Sequence, residues 1–363
     1  MIKYLGSKRT LVPVLGEMAR AVGARTAVDL FAGTTRVAQE LKRSGLHVTA
    51  VDIATYTEVL AQCFIAADAD SVDQQALRTV LAELSALPGE RGYFTRTFCE
   101  DARFFQPKNG TRVDAIRTAI EQRYARSSLY PILLAALLLA ADRVDSTTGV
   151  QMAYLKQWAP RSHRDLELRP PELLSGPGRA VRGDALEVVR DLPRVDLAYI
   201  DPPYNQHRYF TNYHVWETLV RWDEPAHYGV ACKRLDSRDA ETKSVFNRRR
   251  EMPGALRDVL TLVSADVVIV SYNDEAWVTP QQIADWLREA GHADVRMLGF
   301  DSKRYVGAQI GIHDPRGRKV GTVSHLRNTE YLVVAGSKDS VEAAVRPTLT
   351  PTSADAAGAR LLA

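Results

Sequence analysis

The chain has 363 residues, of which 45% are hydrophobic and 25% charged, and its formal net charge at pH 7 is +3. This composition is typical of a soluble globular protein, and the length allows one large α/β domain with an insert, or two domains. Cys63, Cys99 and Cys232 are widely spaced, which argues against a disulfide framework or a zinc site and favours a reducing compartment. The N-terminus has no apolar signal-peptide core, and the most apolar stretch, 132–141, is far shorter than the roughly 20 residues that span a bilayer.

The first 55 residues predict a βαβ unit. A Gly-Ser-Lys-Arg turn precedes a helical apolar pattern within residues 3–21, and a short strand follows at 26–31. A helix is predicted at 36–44, and the next strand, 47–51, ends at Asp52. The crossover between the two strands is expected to be right-handed.

Strand patterns then disappear between about residues 56 and 174. Helical patterns dominate there, at 74–87, 115–123 and 130–144, so we interpret 56–174 as a mostly helical insert in a sheet domain formed by 1–55 and 175–336. Later strands are predicted at 180–182, 195–200, 267–271, 295–300 and 331–335, with a helix at 280–290. Residues 337–363, rich in Ala, Thr, Pro and Ser, are expected to be a flexible tail.

The sequence Asp201-Pro202-Pro203-Tyr204 directly follows the strand predicted at 195–200. Ligands of open α/β sheets bind at such strand ends. The group suits an amino group on a flat base, because Asp201 and the Pro202 carbonyl can both accept hydrogen bonds from it while Tyr204 stacks on the ring. Two acceptors favour a pyramidal nitrogen and aim its lone pair at an electrophile. The alternative is an ordinary turn, since Pro fixes φ and Asp starts turns well.

Three further loops follow strands and suit parts of a nucleoside-like cofactor. The turn Asp-Leu-Phe-Ala-Gly-Thr-Thr at 29–35 allows close backbone approach and offers free N–H groups at a helix start. Asp52 is placed to accept hydrogen bonds from a ribose diol, and Asp184 from an adenine amine. Each acid alone is often only a helix cap; together their order and spacing indicate a site. No GxGxxG, Walker, Gly-x-Ser-x-Gly or His-Glu-x-x-His sequence is present.

Together these motifs resemble the Dam-like alpha group of S-adenosylmethionine-dependent DNA adenine-N6 methyltransferases, especially modification methylases associated with type IIS restriction systems. The resemblance covers roughly residues 1–336. In it, Lys-Tyr-Leu-Gly-Ser-Lys at 3–8 corresponds to the N-terminal cofactor motif, 29–35 to the glycine loop, and 201–204 to the catalytic motif. One departure is Thr35, which stands where many relatives have a second glycine; its hydroxyl could contact the cofactor carboxylate instead.

The resemblance implies a Rossmann-like class I S-adenosylmethionine-dependent methyltransferase fold, in which the helical insert recognises the target. It implies methyl transfer from S-adenosylmethionine, without a metal, to N6 of an adenine flipped out of duplex DNA. The expected setting is a restriction-modification or DNA-protection system in the cytoplasm, associated with the nucleoid, with a cognate restriction endonuclease as a further partner.

Candidate site residues follow from the motifs and the resemblance. The catalytic set is Asp201, Pro202, Pro203 and Tyr204. The cofactor-binding set is Tyr4, Gly6, Ser7, Lys8, Asp29, Phe31, Ala32, Gly33, Thr34, Thr35, Asp52, Ile53, Asp184, Ala185 and Asp201. The DNA-binding set is Tyr204, Asn205, Tyr209, Asn212, Tyr213, His214, Lys233, Arg234, Lys243, Ser244, Arg248, Arg249 and Arg250. The basic members belong to a stretch, 233–257, with eight Lys or Arg against four Asp or Glu, which favours phosphate contacts.

Several alternatives stay open from the sequence alone. Tyr209, Tyr213 and His214 could pack Trp216 and Trp222 against the sheet instead of contacting a flipped base, and the basic stretch could be an ordinary solvated surface. The catalytic tetrapeptide also serves RNA methyltransferases that act on ribosomal adenine or guanine. A non-catalytic DNA-binding protein that retains the fold is the remaining alternative.

Overall fold

A mixed sheet organises the residues that this computed structural model describes, which are 2–4, 8–203, 208–240, 242–274, 276–303, 312–313, 319–321, 327–349 and 360–362. Its described strands are β1 (Thr26–Asp29), β2 (His47–Asp52), β3 (Gly178–Arg182), β4 (Val195–Ile200), β5 (Ala265–Asn273), β6 (Asp294–Lys303), β7 (Arg327–Gly336) and β8 (Arg360–Leu362). Two short ribbons lie outside it and pair His227–Tyr228 with Lys233–Arg234, and Ile312–His313 with Lys319–Gly321.

The strand order is β3-β2-β1-β4-β5-β7-β6-β8. β1 to β5 are mutually parallel, whereas β7 is antiparallel to both of its neighbours, β5 and β6. The chain order reverses between β1 and β4, which is the switch point where doubly wound sheets bind ligands. This order confirms the predicted Rossmann-like α/β fold.

Helices cover both faces of the sheet. They are α1 (Val12–Ala21), α2 (Arg36–Arg43), α3 (Thr55–Ala61), α4 (Gln74–Ala86), α5 (Tyr93–Thr95), α6 (Pro107–Tyr124), α7 (Tyr130–Arg143), α8 (Ala185–Val188), α9 (Tyr209–Asn212), α10 (His214–Arg221), α11 (Met252–Leu262), α12 (Pro280–Glu289) and α13 (Lys338–Leu349). Residues along β4 alternate between two cores: Leu197 and Tyr199 face one, Ala198 and Ile200 the other. Within the described ranges, no helix has the length and apolar character needed to cross a membrane.

The insert is helical, as predicted, and it shares a core with the sheet. Residues 53–177, all described, contain no strand between β2 and β3, and α4, α6 and α7 match the three predicted helical patterns. Phe94 and Leu133 of the insert belong to the same buried apolar cluster as Val48 and Leu197 of the sheet. The insert therefore packs directly on one face of the sheet.

The C-terminal segment differs from the sequence-based expectation. Within 337–363, expected to be a flexible tail, residues 338–349 form α13, which buries Val341, Ala344 and Val345 and packs against α1. The spacing of these three residues is helical, but the surrounding Ala, Thr and Pro obscured the pattern. Residues 360–362 form β8 at the sheet edge.

Candidate active site

The carboxyl ends of β1 to β4 surround a cavity of about 230 Å³. It lies at the switch point of the sheet, where the chain leaves neighbouring strands in opposite directions. The structure brings eleven of the predicted site residues to its wall: Tyr4, Phe31, Asp52, Ile53, Asp184, Ala185, Asp201, Pro202, Pro203, Tyr209 and Ser244. Four predicted residues, Gly6, Ser7, Tyr204 and Asn205, lie outside the described residues.

Asp201 follows the last residue of β4 and forms a buried ion pair. Its Oδ1 lies 3.1 Å from Lys8 Nζ, and the same ammonium lies 3.0 Å from Glu330 Oε2. Burial raises the pKa of Asp201 to about 6; Lys8 opposes this rise and Glu330 adds to it. At neutral pH Asp201 is therefore an ionised hydrogen-bond acceptor at the cavity wall.

Asp29, the last residue of β1, is a second buried carboxyl. It is only 1% exposed, and among the described residues its Oδ1 has no hydrogen-bond donor. Burial first, and then the nearby charge of Asp201, raise the pKa of Asp29 to about 8. A buried oxygen that lacks a donor is costly unless a ligand supplies one. A cationic donor would suit this position.

The glycine loop approaches the cavity through its backbone. Gly33 has φ of +49°, in the left-handed region, and its N–H donates to Asp52 Oδ2 at 2.8 Å. Ala32 and Thr34 are buried beside it. Thr35 also has a positive φ, +62°, a backbone conformation that glycine adopts more readily than threonine. Its buried hydroxyl accepts a hydrogen bond from Gln39 Nε2 at 2.9 Å and keeps its own hydrogen to donate, so contact of this hydroxyl with a cofactor carboxylate stays a prediction.

Asp52, the last residue of β2, and Asp184, which follows β3, both accept hydrogen bonds from the start of the next helix or the residue before it. Asp52 Oδ1 accepts hydrogen bonds from Ala54 N–H at 3.1 Å and from the Thr57 hydroxyl at 2.9 Å. Burial raises the pKa of Asp52, although these hydrogen bonds act in the opposite direction. Asp184 caps α8 by accepting from Leu186 N–H at 2.8 Å. Both carboxyl groups nevertheless line the cavity beside Ile53, whose side chain is an exposed apolar wall.

Three tyrosine rings stack beside the cavity. The ring centroid of Tyr4 lies 4.7 Å from that of Tyr213 and 5.2 Å from that of Tyr209, with interplanar angles of 16° and 21°. Tyr4 and Tyr209 reach the cavity, whereas Tyr213 is fully buried. The stack connects the N-terminal segment to α9, which follows residues 201–204. Tyr213 therefore packs internally, against Tyr4 and Tyr209.

Asn212 and His214 are likewise buried, so direct DNA contact by either side chain does not fit this structure. His214 Nε2 lies 2.9 Å from the Gln151 carbonyl oxygen, and burial lowers the pKa of His214 to about 3. Asn212 is 4% exposed, and its carbonyl accepts from Gln151 N–H at 2.8 Å. Through these hydrogen bonds to Gln151, the two residues connect α9 and α10 to the insert.

The predicted phosphate contacts divide into two groups. Arg234 is 1% exposed and lies 2.7 Å from both Asp223 and Asp236, so this arginine belongs to an internal ion-pair network and the predicted DNA contact does not fit it. The others remain accessible: Lys233, Lys243 and Ser244 are half-buried, and Arg248, Arg249 and Arg250 are exposed. Ser244 and Asn247 line the cavity, so their sequence neighbours Lys243 and Arg248 lie next to wall residues; we call the accessible basic residues the basic rim.

Sequence reasoning missed several cavity residues, of which Glu217 is the clearest. Its carboxylate accepts hydrogen bonds from the backbone N–H groups of Thr55 (3.0 Å) and Tyr56 (3.2 Å), so it holds the start of α3 at the cavity. An acid inside the apolar helix 214–221 could have signalled this role. The other missed wall residues include Arg182, Phe210, Arg221 and Asn247.

We predict that Gly33→Ala weakens cofactor binding more than it lowers stability. A Cβ at Gly33 would lie 3.1 Å from Tyr4 Cε1, so the alanine must displace a cavity tyrosine as well as adopt a positive φ. Gly45→Ala is the matched control, because it has φ of +89° but no atom within 4 Å of the new Cβ. Both variants should lose about 1 kcal/mol of stability. Only Gly33→Ala should weaken cofactor affinity in calorimetric titration, by roughly tenfold; equal affinities would contradict the assignment.

Comparison with known proteins supplies the family. A family profile described as "D12 class N6 adenine-specific DNA methyltransferase" matches residues 4–278. The modification methylase StsI of Streptococcus sanguinis is 29% identical over 320 residues, which cover 82% of this chain and 48% of that protein. The type II methyltransferases M.NlaIII of Neisseria lactamica and M.CviAII of Paramecium bursaria Chlorella virus 1 are 26% and 28% identical, each over 81% of this chain and 90% of their own length. The chain thus spans about half of the StsI methylase and most of the other two.

Proposed function

Because the chain belongs to the D12 class of N6 adenine-specific DNA methyltransferases, we propose that it methylates N6 of adenine at a specific site in duplex DNA. S-adenosylmethionine would be the methyl donor. The observation that carries the proposal is the position of Asp201 and Pro202, which follow β4 and line a cavity shared with Asp52. The named relatives favour a restriction-modification setting, in which a cognate endonuclease would be the partner.

The cavity fits S-adenosylmethionine on several independent grounds. Asp29 Oδ1 needs a donor, and the ammonium of an amino-acid moiety would supply one. Asp52 offers carboxylate oxygens to a ribose, and the apolar walls Phe31 and Ile53 suit a flat base. Gly33 permits close approach of the backbone. When bound, the cofactor supplies an electrophilic methyl group on a sulfonium, and transfer from that group requires no metal.

Within the proposed reaction, this chain's own residues orient the nucleophile. The Asp201 carboxylate and the Pro202 carbonyl accept hydrogen bonds from the adenine amino group, which fixes the direction of its lone pair. The adenine must first leave the duplex, at a cost of a few kcal/mol. The proton released from nitrogen passes to water, so Asp201 acts mainly by orientation. The stacking role of Tyr204 remains a prediction.

Target recognition is proposed for the insert, and its loop after α7 lies beside the site. The buried Gln151 connects that loop to α9 and α10. Its Oε1 accepts a hydrogen bond from Val215 N–H at 2.9 Å, and its backbone N–H donates to the Asn212 carbonyl. Beyond Gln151 the loop exposes Lys156, and the Arg103 guanidinium lies 4.7 Å from the ring centroid of Trp158. Basic and aromatic groups on one anchored loop suit contact with DNA.

The salt dependence of DNA binding tests the basic rim. Replacing Arg248, Arg249 and Arg250 by alanine should lower the slope of log affinity against log salt by about two to three, since each phosphate contact contributes about 0.9. Fluorescence anisotropy with a labelled duplex measures this slope. A control triple variant of Arg25, Arg190 and Arg194, which are exposed and do not line the cavity, should leave it unchanged. Equal slopes in both triple variants would show that the rim is merely solvated.

A labelled methyl donor tests the function directly. Purified chain should label duplex DNA and not total RNA, and modification-detecting sequencing of DNA from expressing cells should find N6-methyladenine at one sequence. Label in RNA would replace the proposal with an RNA methyltransferase. Cofactor binding without transfer to any duplex would indicate a non-catalytic protein that retains the fold.

A further inference from the structure

A buried ammonium joins Asp201 to a second carboxylate. Lys8 is 6% exposed, and its Nζ lies 3.1 Å from Asp201 Oδ1 and 3.0 Å from Glu330 Oε2. The side chains of both acids are also largely buried, at 19% and 16% exposure. Removing one partner of an ion pair with so little water contact leaves an uncompensated buried charge, so these groups affect one another more strongly than a surface pair would.

The antiparallel direction of β7 is what brings Glu330 to the site. β5 lies between β4 and β7, and Glu330 pairs in register with Asn273, the last residue of β5. Because β7 runs opposite to β5, its first residues lie at the edge where the parallel strands end. Lys8 therefore links two strands that are not neighbours, across the end of the strand between them.

We propose that Glu330 and Lys8 are positioning residues for methyl transfer: Glu330 holds the Lys8 ammonium against Asp201 Oδ1, so that Oδ2 is the oxygen presented to the adenine amino group. This inference rests on the function proposed above. A carboxylate with one oxygen fixed by an ammonium has a defined orientation, and small losses of orientation slow such reactions strongly. Glu330 touches neither base nor cofactor in this scheme and acts only through Lys8.

The charges around Asp201 give the proposal a specific signature. Lys8 faces it from the N-terminal segment, Glu330 from β7, Asp29 from β1, and the Tyr199 phenol from β4. Removing the Glu330 charge takes away a negative charge that disfavours the Asp201 carboxylate, so ionisation of Asp201 becomes easier. Removing the Lys8 charge takes away a positive charge that favours the Asp201 carboxylate, so ionisation becomes harder. The two changes must shift the ionisation of Asp201 in opposite directions.

The test compares Glu330→Gln and Lys8→Gln by single-turnover methylation of duplex DNA across pH 5–8. We expect both to lower the plateau rate by roughly 10- to 100-fold. In the plot of rate against pH, the acidic limb should move to lower pH in Glu330→Gln and to higher pH in Lys8→Gln, each by about one pH unit. Glu330→Asp should recover part of the rate. Glu121→Gln is the matched control, because Glu121 pairs with a different buried cation, Arg117, on α6 and should change neither rate nor profile.

The proposal would be overturned if Glu330→Gln had the plateau rate of the wild type, or if the acidic limbs of the two variants moved in the same direction. A second readout does not depend on activity: carboxyl-carbon NMR titration of Asp201, assigned by its loss in Asp201→Asn, should show the same opposite shifts. If the shifts appear but the wild type methylates no duplex, the proposed function fails and so does the catalytic role of the pair. If the wild type methylates and the shifts are absent, only the positioning role fails.

Discussion

Replacing Asp201 with alanine is expected to slow methyl transfer by about 100- to 1,000-fold, the usual loss when one preorganised partner of a reacting group is removed. The carboxylate lies at the cavity wall and is ionised at neutral pH, because burial raises its pKa only to about 6. Without it, the adenine amino group keeps only the proposed Pro202 carbonyl acceptor, and its lone pair is no longer directed at the methyl group. Single-turnover rates at saturating DNA and cofactor measure the effect.

Two further variants identify the cause of that loss. Asp201→Asn keeps the shape and one acceptor oxygen, so it should retain more activity than alanine but lose the dependence of rate on ionisation near pH 6. Asp191→Ala removes an exposed acid outside the cavity and should have the wild-type rate. DNA affinity should change by less than about threefold in all three, since binding depends mainly on phosphate contacts. An Asp201→Ala protein with wild-type rates would refute the catalytic assignment.

Replacing Asp29 with asparagine is expected to stabilise the protein while it weakens cofactor binding. The pKa of Asp29, raised by burial from 3.8 to about 8, means that the folded state holds a proton that the unfolded chain releases above about pH 4. Stability therefore falls as pH rises from about 4 to about 8. Since a tenfold change in proton affinity corresponds to about 1.4 kcal/mol, asparagine should recover up to about 4 kcal/mol at pH 7, or several degrees in Tm.

The same replacement removes the carboxyl group that we pair with the cofactor ammonium, to which Asp29 would present a carboxylate after releasing its proton on binding. A charge-assisted hydrogen bond contributes about 1.5–3 kcal/mol, so cofactor affinity should fall by roughly 10- to 100-fold in calorimetric titration. Asp196→Asn is the control of opposite sign, because the N–H groups of Arg25 and Thr26, at 2.8 and 2.9 Å, hold the pKa of Asp196 below its usual range. That variant should lose stability at pH 7 and bind the cofactor normally. Unchanged affinity in Asp29→Asn would remove Asp29 from the cofactor site.

The sequence predicted the parts of the site that follow directly from strands. The apolar run 195–200 became β4 with the same bounds, and Asp52, Asp184 and Asp201, each placed after a strand, all reached the cavity. This works because parallel strands end at one edge of a sheet, so residues that follow them converge whatever the loops do.

Residues whose role depends on long-range packing could not be predicted in the same way. Arg234 was expected on the surface because it lies in a basic run, but it is buried against two aspartates, one of them eleven residues earlier. His214 and Glu217 lie in α10, whose partners, Gln151 and the start of α3, are 63 and 162 residues away along the chain. Local pattern contains no information about such partners.

The continuous core beneath the insert limits how this protein can change specificity. Exchanging residues 56–174 for those of a relative would place foreign side chains against Val48 and Leu197 and would break the hydrogen bonds of Gln151 to the segment after β4. Under the recognition role proposed for the insert, new target sequences are therefore more accessible through substitutions in the exposed part of the loop after α7 than through exchange of the whole insert. Divergence would then proceed by small steps at the exposed surface of the insert, while the buried layer stays fixed.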